Sequence, residues 1–276
     1  MMQPRALRSG FLTLILGAAV WSGSASAAAG AQAGPDAVLH GFERSGDYQL
    51  TVGGKLQPAA EIYALPSGVP AFLILSSALP SPVLLSPGEG TVQTVQLMKI
   101  RKQQDGTVDL MSDAALQPQG KFEIVGEDVK FKTEGRSAAL QPRPSLLGLK
   151  KAADLTTYNP EYARRANVYQ PNAKAVQTLK KVAQPARVRV YFGSWCPHCK
   201  EHVPLMLKVE EQVKGSKIQF EYLGLEKGLN SGDAKKFDIH SVPTGVVYSN
   251  GKEIGRLSAA DWAAPETALA TLLAGK

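Results

Sequence analysis

The sequence predicts a mixed α/β protein in which a smaller β-rich domain precedes a compact three-layer α/β domain. Residues 36–145 contain short apolar or alternating runs separated by turn residues, the pattern of antiparallel strands. Residues 172–276 instead alternate strand-like runs with helical runs. The composition, 44% hydrophobic and 20% charged residues, supports cores of this size and excludes disordered and collagen-like classes.

The first 27 residues have the three parts of a secretory signal. Arg5 and Arg8 form a basic start, residues 11–21 are apolar, and Ala25-Ser26-Ala27 fits the cleavage pattern of small residues. An uncleaved anchor is the alternative, although the apolar run is shorter than the roughly 20 residues that span a bilayer. We therefore expect cleavage and a periplasmic or secreted mature protein.

The β-rich domain is predicted to be a small antiparallel sandwich or barrel. Gly53-Gly54 and Asp105-Gly106 are hairpin signals between strand-like runs. The predicted strands are residues 48–52, 71–75, 83–85, 91–101, 107–111, 122–125 and 129–132. No cluster of residues in this domain carries recognisable chemistry.

Residues 146–171 are predicted to be a basic linker that contains prolines and helical pieces such as Glu161–Val168. The formal charge of +7 is concentrated locally, and much of the excess lies between residues 150 and 181. A nucleic-acid-binding protein would spread such charge over a face and interleave it with aromatic residues. We therefore expect a solvated linker and no nucleic-acid partner.

The second domain follows in alternating units. Asn172 is a suitable cap for a first helix that ends near residue 183. Asn250-Gly251 indicates a hairpin between the last two strands. The remaining elements are strands at 188–192, 218–225, 245–248 and 253–257 and helices at 197–213, 234–237 and 265–273.

The two cysteines of the chain, Cys196 and Cys199, lie where a strand ends and a helix begins. The helix dipole and the unpaired N–H groups at that point favour a thiolate. Pro197 suits the first helical turn, and protonated His198 adds a cation near the Cys196 sulfur. Cys199 follows one turn later and can close a disulfide. We predict a reversible dithiol–disulfide pair with an exposed Cys196 of low pKa and a more buried Cys199.

Three other interpretations of the cysteine pair are weaker. A structural zinc site needs four ligands, and the cysteine pair supplies two. His198 and His202 lie on one helix face and would be able to join the thiols as the other two. Covalent haem attachment needs a histidine where the chain has Lys200. An inert disulfide of this spacing closes too small a loop to stabilise much. We expect no cofactor and no metal ion.

Several motifs together resemble the thioredoxin superfamily. Pro204 follows the cysteine motif at the spacing of that family's active-site helix. The motifs are Trp195-Cys196-Pro197-His198-Cys199-Lys200, Ser241-Val242-Pro243-Thr244 and Asn250-Gly251-Lys252. The resemblance covers residues 172–276 and implies a thioredoxin fold without a long helical insertion.

The resemblance implies roles for the matching residues. Cys196 would be the nucleophile that forms a mixed disulfide, and Cys199 the thiol that resolves it. Pro243, in the cis form, would shape the cleft beside the sulfurs and discourage metal binding there. The backbone at Val242 would pair with an extended substrate segment, a form of strand addition. Trp195 would flank the same cleft, and Thr244, the residue after Pro243, would also contact the substrate.

The Pro197-His198 pair between the cysteines is identical to that of DsbA, the periplasmic oxidase. Two departures limit this resemblance: the long helical insertion is missing, and Val190 stands where thioredoxin and DsbA have a buried carboxylate. Our hypothesis is that Glu221, Glu226 or water accepts the proton of Cys199 instead.

The sequence therefore predicts an exported thiol–disulfide oxidoreductase, acting as an oxidase on cysteine-containing envelope or secreted proteins. A membrane or soluble redox partner would restore its active form. Two variants remain open, a reductase (including the type that serves cytochrome c maturation) and a disulfide isomerase. A different class also remains open, a β-domain binding module with a vestigial redox domain. The oligomeric state stays undetermined.

Overall fold

The computed structural model describes residues 40–65, 71–230 and 232–274. The predicted signal segment, residues 1–27, lies outside the described residues. Within them, no helix is long and apolar enough to cross a membrane.

Two antiparallel sheets and a strand pair build the β-rich region. Their strands are β1 Glu43–Arg44, β2 Tyr48–Val52, β3 Lys55–Leu56, β4 Glu61–Ala64, β5 Phe72–Leu75, β6 Val83–Ser86, β7 Thr91–Val95, β8 Ile100–Lys102, β9 Val108–Leu110, β10 Leu116–Lys121, β11 Glu123–Val125, β12 Asp128–Thr133 and β13 Arg136–Pro142. In the first sheet the strand order is β1-β4-β5-β6-β7-β10, in the second it is β11-β12-β13-β2-β3, and β8 pairs with β9.

The two sheets pack face to face through alternating apolar side chains. Leu50 and Leu140 of the second sheet share one core cluster with Ile74 and Val83 of the first. Strands with alternate side chains on one face bury that face against a second sheet. The prediction of a β-rich first domain is confirmed, and its form is a sandwich.

A third sheet forms the second domain. Its strands are β14 Gly148–Lys150, β15 Ala186–Phe192, β16 Ile218–Gly224, β17 Thr244–Ser249 and β18 Lys252–Arg256. Their order is β14-β16-β15-β17-β18, with β15 and β16 parallel and the other neighbours antiparallel. The helices are α1 Ala152–Tyr158, α2 Pro160–Val168, α3 Ala173–Lys180, α4 Pro197–Gln212, α5 Gly232–Lys236 and α6 Pro265–Leu273.

The central strand β15 is buried along the whole of one face and near its end on the other. Val188 and Val190 face the cluster that contains α4 and α6 residues, whereas Tyr191 faces a smaller cluster with Val246 and Ala234 of α5. Arg187 and Arg189 are only half-buried, so the strand alternates apolar and charged residues before its apolar end. The prediction of strands interleaved with helices around a central sheet is confirmed.

Residues 146–171 differ from the predicted linker. They contain β14, α1 and α2, and Leu155, Tyr162 and Ala166 are buried in the main core of the second domain. Pro160 does not interrupt structure here, because it occupies the first turn of α2, where its missing N–H needs no partner. The domain boundaries themselves remain a prediction.

The β-rich region contacts α2 through ion pairs. Glu43 of β1 lies 3.3 Å from Arg164 and 3.0 Å from Arg165, measured between carboxylate oxygen and guanidinium nitrogen. Both arginines also bind Glu161, whose side chain is nearly buried. Arg164 and Arg165, two of the basic residues that suggested a solvated linker, therefore connect α2 to the β-rich region.

Candidate functional site

Cys196 is the residue immediately before α4, at the point where the chain turns from β15 into the helix. Its thiol donates to the carbonyl oxygen of Val242, with 3.4 Å between sulfur and oxygen. Only 6% of the residue is exposed, less than the sequence predicted. The reason is that the loop at Val242 packs against the same cluster and covers the sulfur.

Cys199 lies one helical turn further and is fully buried. The backbone N–H of Gly193 donates to its sulfur over 3.4 Å. Burial raises the pKa of the Cys199 thiol well above its usual range, because a thiolate there would lose its hydration; the Gly193 N–H opposes this only in part. Both cysteines are free thiols.

The loop opposite the cysteines contains a cis peptide bond between Val242 and Pro243. It leads directly into β17, which begins at Thr244, and the carbonyl of Val242 borders Cys196. The Thr244 hydroxyl donates to the carbonyl of Ser241 over 2.7 Å, which ties the loop to itself. The structure therefore brings Val242 to Cys196, and Pro243 and Thr244 are the next two residues of the same loop.

Trp195 is half-buried beside Cys196 and fixed by its polar atom. The indole N–H donates to the carbonyl oxygen of Leu225 over 3.0 Å. Its ring lies against Gly193, so closely that a Cβ on that glycine would be 2.5 Å from the ring. Residue 193 thus needs to be glycine for the indole to occupy this position.

Pro197 and His198 are exposed at the start of α4. The His198 ring is nearly parallel to that of His202, with 6.5 Å between the ring centroids. His240, which sequence reasoning placed on a surface loop, is exposed and lies 2.8 Å from Asp238.

The proposed proton acceptor Glu221 lies on the wrong face of the sheet. Its neighbours in β16, Phe220 and Tyr222, pack on the cluster that contains Cys199, so the side chain of Glu221 points to the opposite face. There its carboxylate accepts from Arg189 over 2.7 Å. The structure therefore removes Glu221 from that hypothesis; Glu226 is exposed.

Sequence reasoning missed two groups near the buried thiol. Tyr162 of α2 shares the core cluster of Cys199, and its pKa is raised mainly by burial and further by the charges of Cys199 and Asp47. Lys200 Nζ lies 2.7 Å from a carboxylate oxygen of Asp47, which precedes β2. No local pattern predicts these contacts, because they join the active-site helix to segments interpreted as a linker and as a domain without chemistry.

Comparisons with known proteins agree with this geometry. The family model described as Thioredoxin matches residues 170–273. Thioredoxin Y, chloroplastic, of Oryza sativa subsp. japonica is 30% identical over 139 residues, which cover 46% of this chain and 80% of the relative. Thioredoxin-2 of Saccharomyces cerevisiae is 35% identical over 81 residues (29% and 74%), and Thioredoxin-1 of the same yeast is 30% identical over 90 residues (32% and 84%). The expected fold of the second domain is confirmed.

Proposed function

The chain belongs to the thioredoxin family, and from this premise we propose that it is an exported thiol–disulfide oxidase that passes the Cys196–Cys199 disulfide to other envelope or secreted proteins. The observation that carries the proposal is the arrangement of the two thiols. Cys196 lies at the helix start against the loop of Val242, and Cys199 is fully buried one turn later. Such a pair exchanges disulfides through the outer sulfur while the inner sulfur stays protected.

The reaction is a two-electron exchange between sulfurs. A thiolate of the client protein attacks the Cys196 sulfur, the Cys196–Cys199 bond breaks, and Cys199 leaves and takes up a proton. A second client thiolate then attacks the client sulfur of the mixed disulfide and releases Cys196 as a thiolate. The client is oxidised and the Cys196–Cys199 pair is reduced; a membrane or soluble redox partner reoxidises it.

The burial of Cys199 favours completion of this exchange. Because burial raises its pKa, the released thiol remains protonated at neutral pH. A protonated thiol is a poor nucleophile and does not attack the mixed disulfide again. The second client thiol therefore has time to react.

The oxidising direction is supported by what surrounds Cys196. The positive end of the α4 dipole stabilises the thiolate that client oxidation releases. We propose that His198, two residues after Cys196, adds to this stabilisation when it is protonated. A stabilised reduced form makes the corresponding disulfide a stronger oxidant.

The loop beside Cys196 is suited to an extended client segment. We propose that the backbone at Val242 pairs with that segment, with Pro243 shaping the cleft and Trp195 and Thr244 bordering it. Main-chain pairing tolerates many client sequences, which suits an enzyme that acts on many proteins.

Export rests on the amino-acid pattern of residues 1–27 alone. Its basic start, apolar run and small-residue cleavage pattern support a periplasmic or secreted location. Amino-terminal sequencing of the protein from the periplasm or medium would test this proposal, with a new terminus near residue 28 expected.

A trapping experiment tests the thiol exchange. We expect reduced Cys199→Ala to accumulate covalent complexes with disulfide-bonded client proteins, because the Cys196 thiolate displaces one client sulfur and no inner thiol remains to displace Cys196 from the other. A thiol reductant releases these complexes. Cys196→Ala is the matched control and forms none. Equal trapping by both variants contradicts the proposal, as does oxidised wild-type protein that leaves a reduced, unfolded client unoxidised.

A second candidate function, client binding by the β-rich region, is favoured by a groove on that region. Its volume is about 730 Å³ and its lining mixes lysines with acidic and apolar residues. The lining residues are Thr51, Gly54, Gln119, Lys121, Glu123, Asp128, Lys130, Phe131, Lys132, Ser137, Ala138, Ala139 and Gln141. If binding alone is the function, Cys196→Ser retains the biological activity in full.

A further inference from the structure

Three side chains capable of metal coordination lie together on the outer face of α4. Glu201 and His202 follow His198 by three and four positions, so each of the two side chains adjoins that of His198 on the helix surface. One potential ligand atom from each lies within 4.8 Å of the others. Two imidazoles and a carboxylate are a donor set that suits zinc and neighbouring divalent transition metals.

The distances are compatible with coordination after small side-chain rotations. Ligand nitrogens lie about 2.0–2.1 Å from zinc, so two ligands of a tetrahedral site are roughly 3.4 Å apart. The two imidazole planes are already within 10° of parallel. His202 Nε2 is 3.9 Å from a Glu201 carboxylate oxygen, so the imidazole and carboxylate donors adjoin. Since all three residues belong to one helix, the backbone is already fixed before an ion arrives.

The two ring nitrogens of His202 differ in their surroundings. Nδ1 is buried and has no hydrogen-bond partner among the described residues, whereas Nε2 lies 3.9 Å from a Glu201 carboxylate oxygen. Nε2 is therefore the nitrogen of His202 that an ion would reach.

We propose that His198, Glu201 and His202 form a surface site for a divalent transition-metal ion, for which Zn²⁺ is the probe. The thiols are not part of it, because Cys199 is fully buried and the Cys196 sulfur is directed to the Val242 carbonyl. Three protein ligands leave a coordination position open to water, so the ion exchanges with solvent.

The carboxylate has a specific task in this site. The start of a helix carries partial positive charge, which opposes a cation bound there. The negative charge of Glu201 offsets this repulsion, and Glu201 is sufficiently exposed to turn toward the ion. Removing that charge while keeping the shape of the side chain is therefore expected to weaken binding.

Calorimetric titration of Zn²⁺ into the full chain carrying Cys196→Ala and Cys199→Ala tests the proposal. This background removes the thiols, which themselves bind zinc, and makes the result independent of whether the oxidase proposal holds. We expect one ion to bind per chain. Either His202→Ala or Glu201→Gln is expected to weaken Zn²⁺ binding by at least about tenfold. Loss of a residue that only supports a metal ligand already costs about that much in known sites.

His240→Ala is the matched control, because His240 is exposed and also lies beside a carboxylate, that of Asp238. The control is expected to bind Zn²⁺ like the background protein. The proposal is overturned if no binding occurs up to millimolar Zn²⁺, if both His202→Ala and Glu201→Gln bind as the background does, or if only His240→Ala loses binding. Circular dichroism of each variant shows that the fold is intact.

Discussion

Replacing Gly193 by alanine tests whether the indole of Trp195 is held where the structure places it. The new Cβ would be 2.5 Å from the ring, whereas carbon atoms in contact are about 3.5–4.0 Å apart. The ring must therefore move by roughly 1 Å, which breaks or weakens the 3.0 Å hydrogen bond from its N–H to Leu225. Overpacking costs about 1–3 kcal/mol and the hydrogen bond about 1 kcal/mol. We expect the free energy of unfolding to fall by about 2–4 kcal/mol.

Urea denaturation followed by far-ultraviolet circular dichroism measures this loss. The same substitution made in a Trp195→Ala background is the control, because the ring that causes the clash is then absent. There we expect Gly193→Ala to change the free energy of unfolding by less than about 1 kcal/mol, since alanine also restricts the unfolded chain. An equal loss of unfolding free energy in both backgrounds would show that the clash with the indole of Trp195 is not its cause.

Three further predictions follow from named contacts. The reduced protein is expected to lose unfolding free energy above about pH 8.5, at a rate that approaches about 1.4 kcal/mol per pH unit. The cause is that the Cys199 thiol ionises in the unfolded chain, whereas burial keeps it protonated in the native protein. Urea titrations between pH 7 and 9.5 measure this loss, and Cys199→Ala is expected to lack it. Glu221→Gln leaves the rate of mixed-disulfide resolution unchanged within about twofold, because Glu221 binds Arg189 on the opposite face of the sheet; stopped-flow rates that fall tenfold contradict this assignment. Glu266→Ala is expected to lower the unfolding free energy by about 2–4 kcal/mol, because the buried carboxylate accepts hydrogen bonds from the Tyr169 hydroxyl and from the N–H of Asn172. A loss below about 0.5 kcal/mol in urea denaturation would show that these two hydrogen bonds contribute little to stability.

The elements around the cysteines were predictable because their signals are local. The predicted helix 197–213 is Pro197–Gln212 in the structure, and the predicted strand 188–192 is Ala186–Phe192. A proline in the first turn and a mostly apolar run specify these elements without help from distant residues.

Of the short elements between residues 146 and 171, a helical piece was predicted at 161–168, where α2 is Pro160–Val168, whereas β14 and α1 were not predicted. Helix α1 has 7 residues and α2 has 9, lengths at which a helix depends on tertiary packing. Their stabilising contacts, such as those of Leu155 and Tyr162 with the main core, are invisible in a local pattern. The prolines and basic residues of the segment were therefore interpreted as a linker.

The site residues that were predictable are close together in the sequence, whereas those that were missed make contacts between distant segments. Cys196, Pro197, His198 and Cys199 are contiguous, so their chemistry could be inferred from the sequence. The contact between Lys200 and Asp47 joins residues 153 positions apart in the chain, and only the fold shows it. The exclusion of Glu221 likewise required knowing which face of β16 meets Cys199.

The equilibrium reduction potential of the Cys196–Cys199 pair tests the oxidase proposal most directly. It is measured on the purified protein in glutathione buffers of defined ratio. We predict a value near roughly −120 mV, because the start of α4 and, when protonated, His198 would stabilise the Cys196 thiolate. A value near roughly −270 mV, the level of a thioredoxin-type reductant, would contradict it.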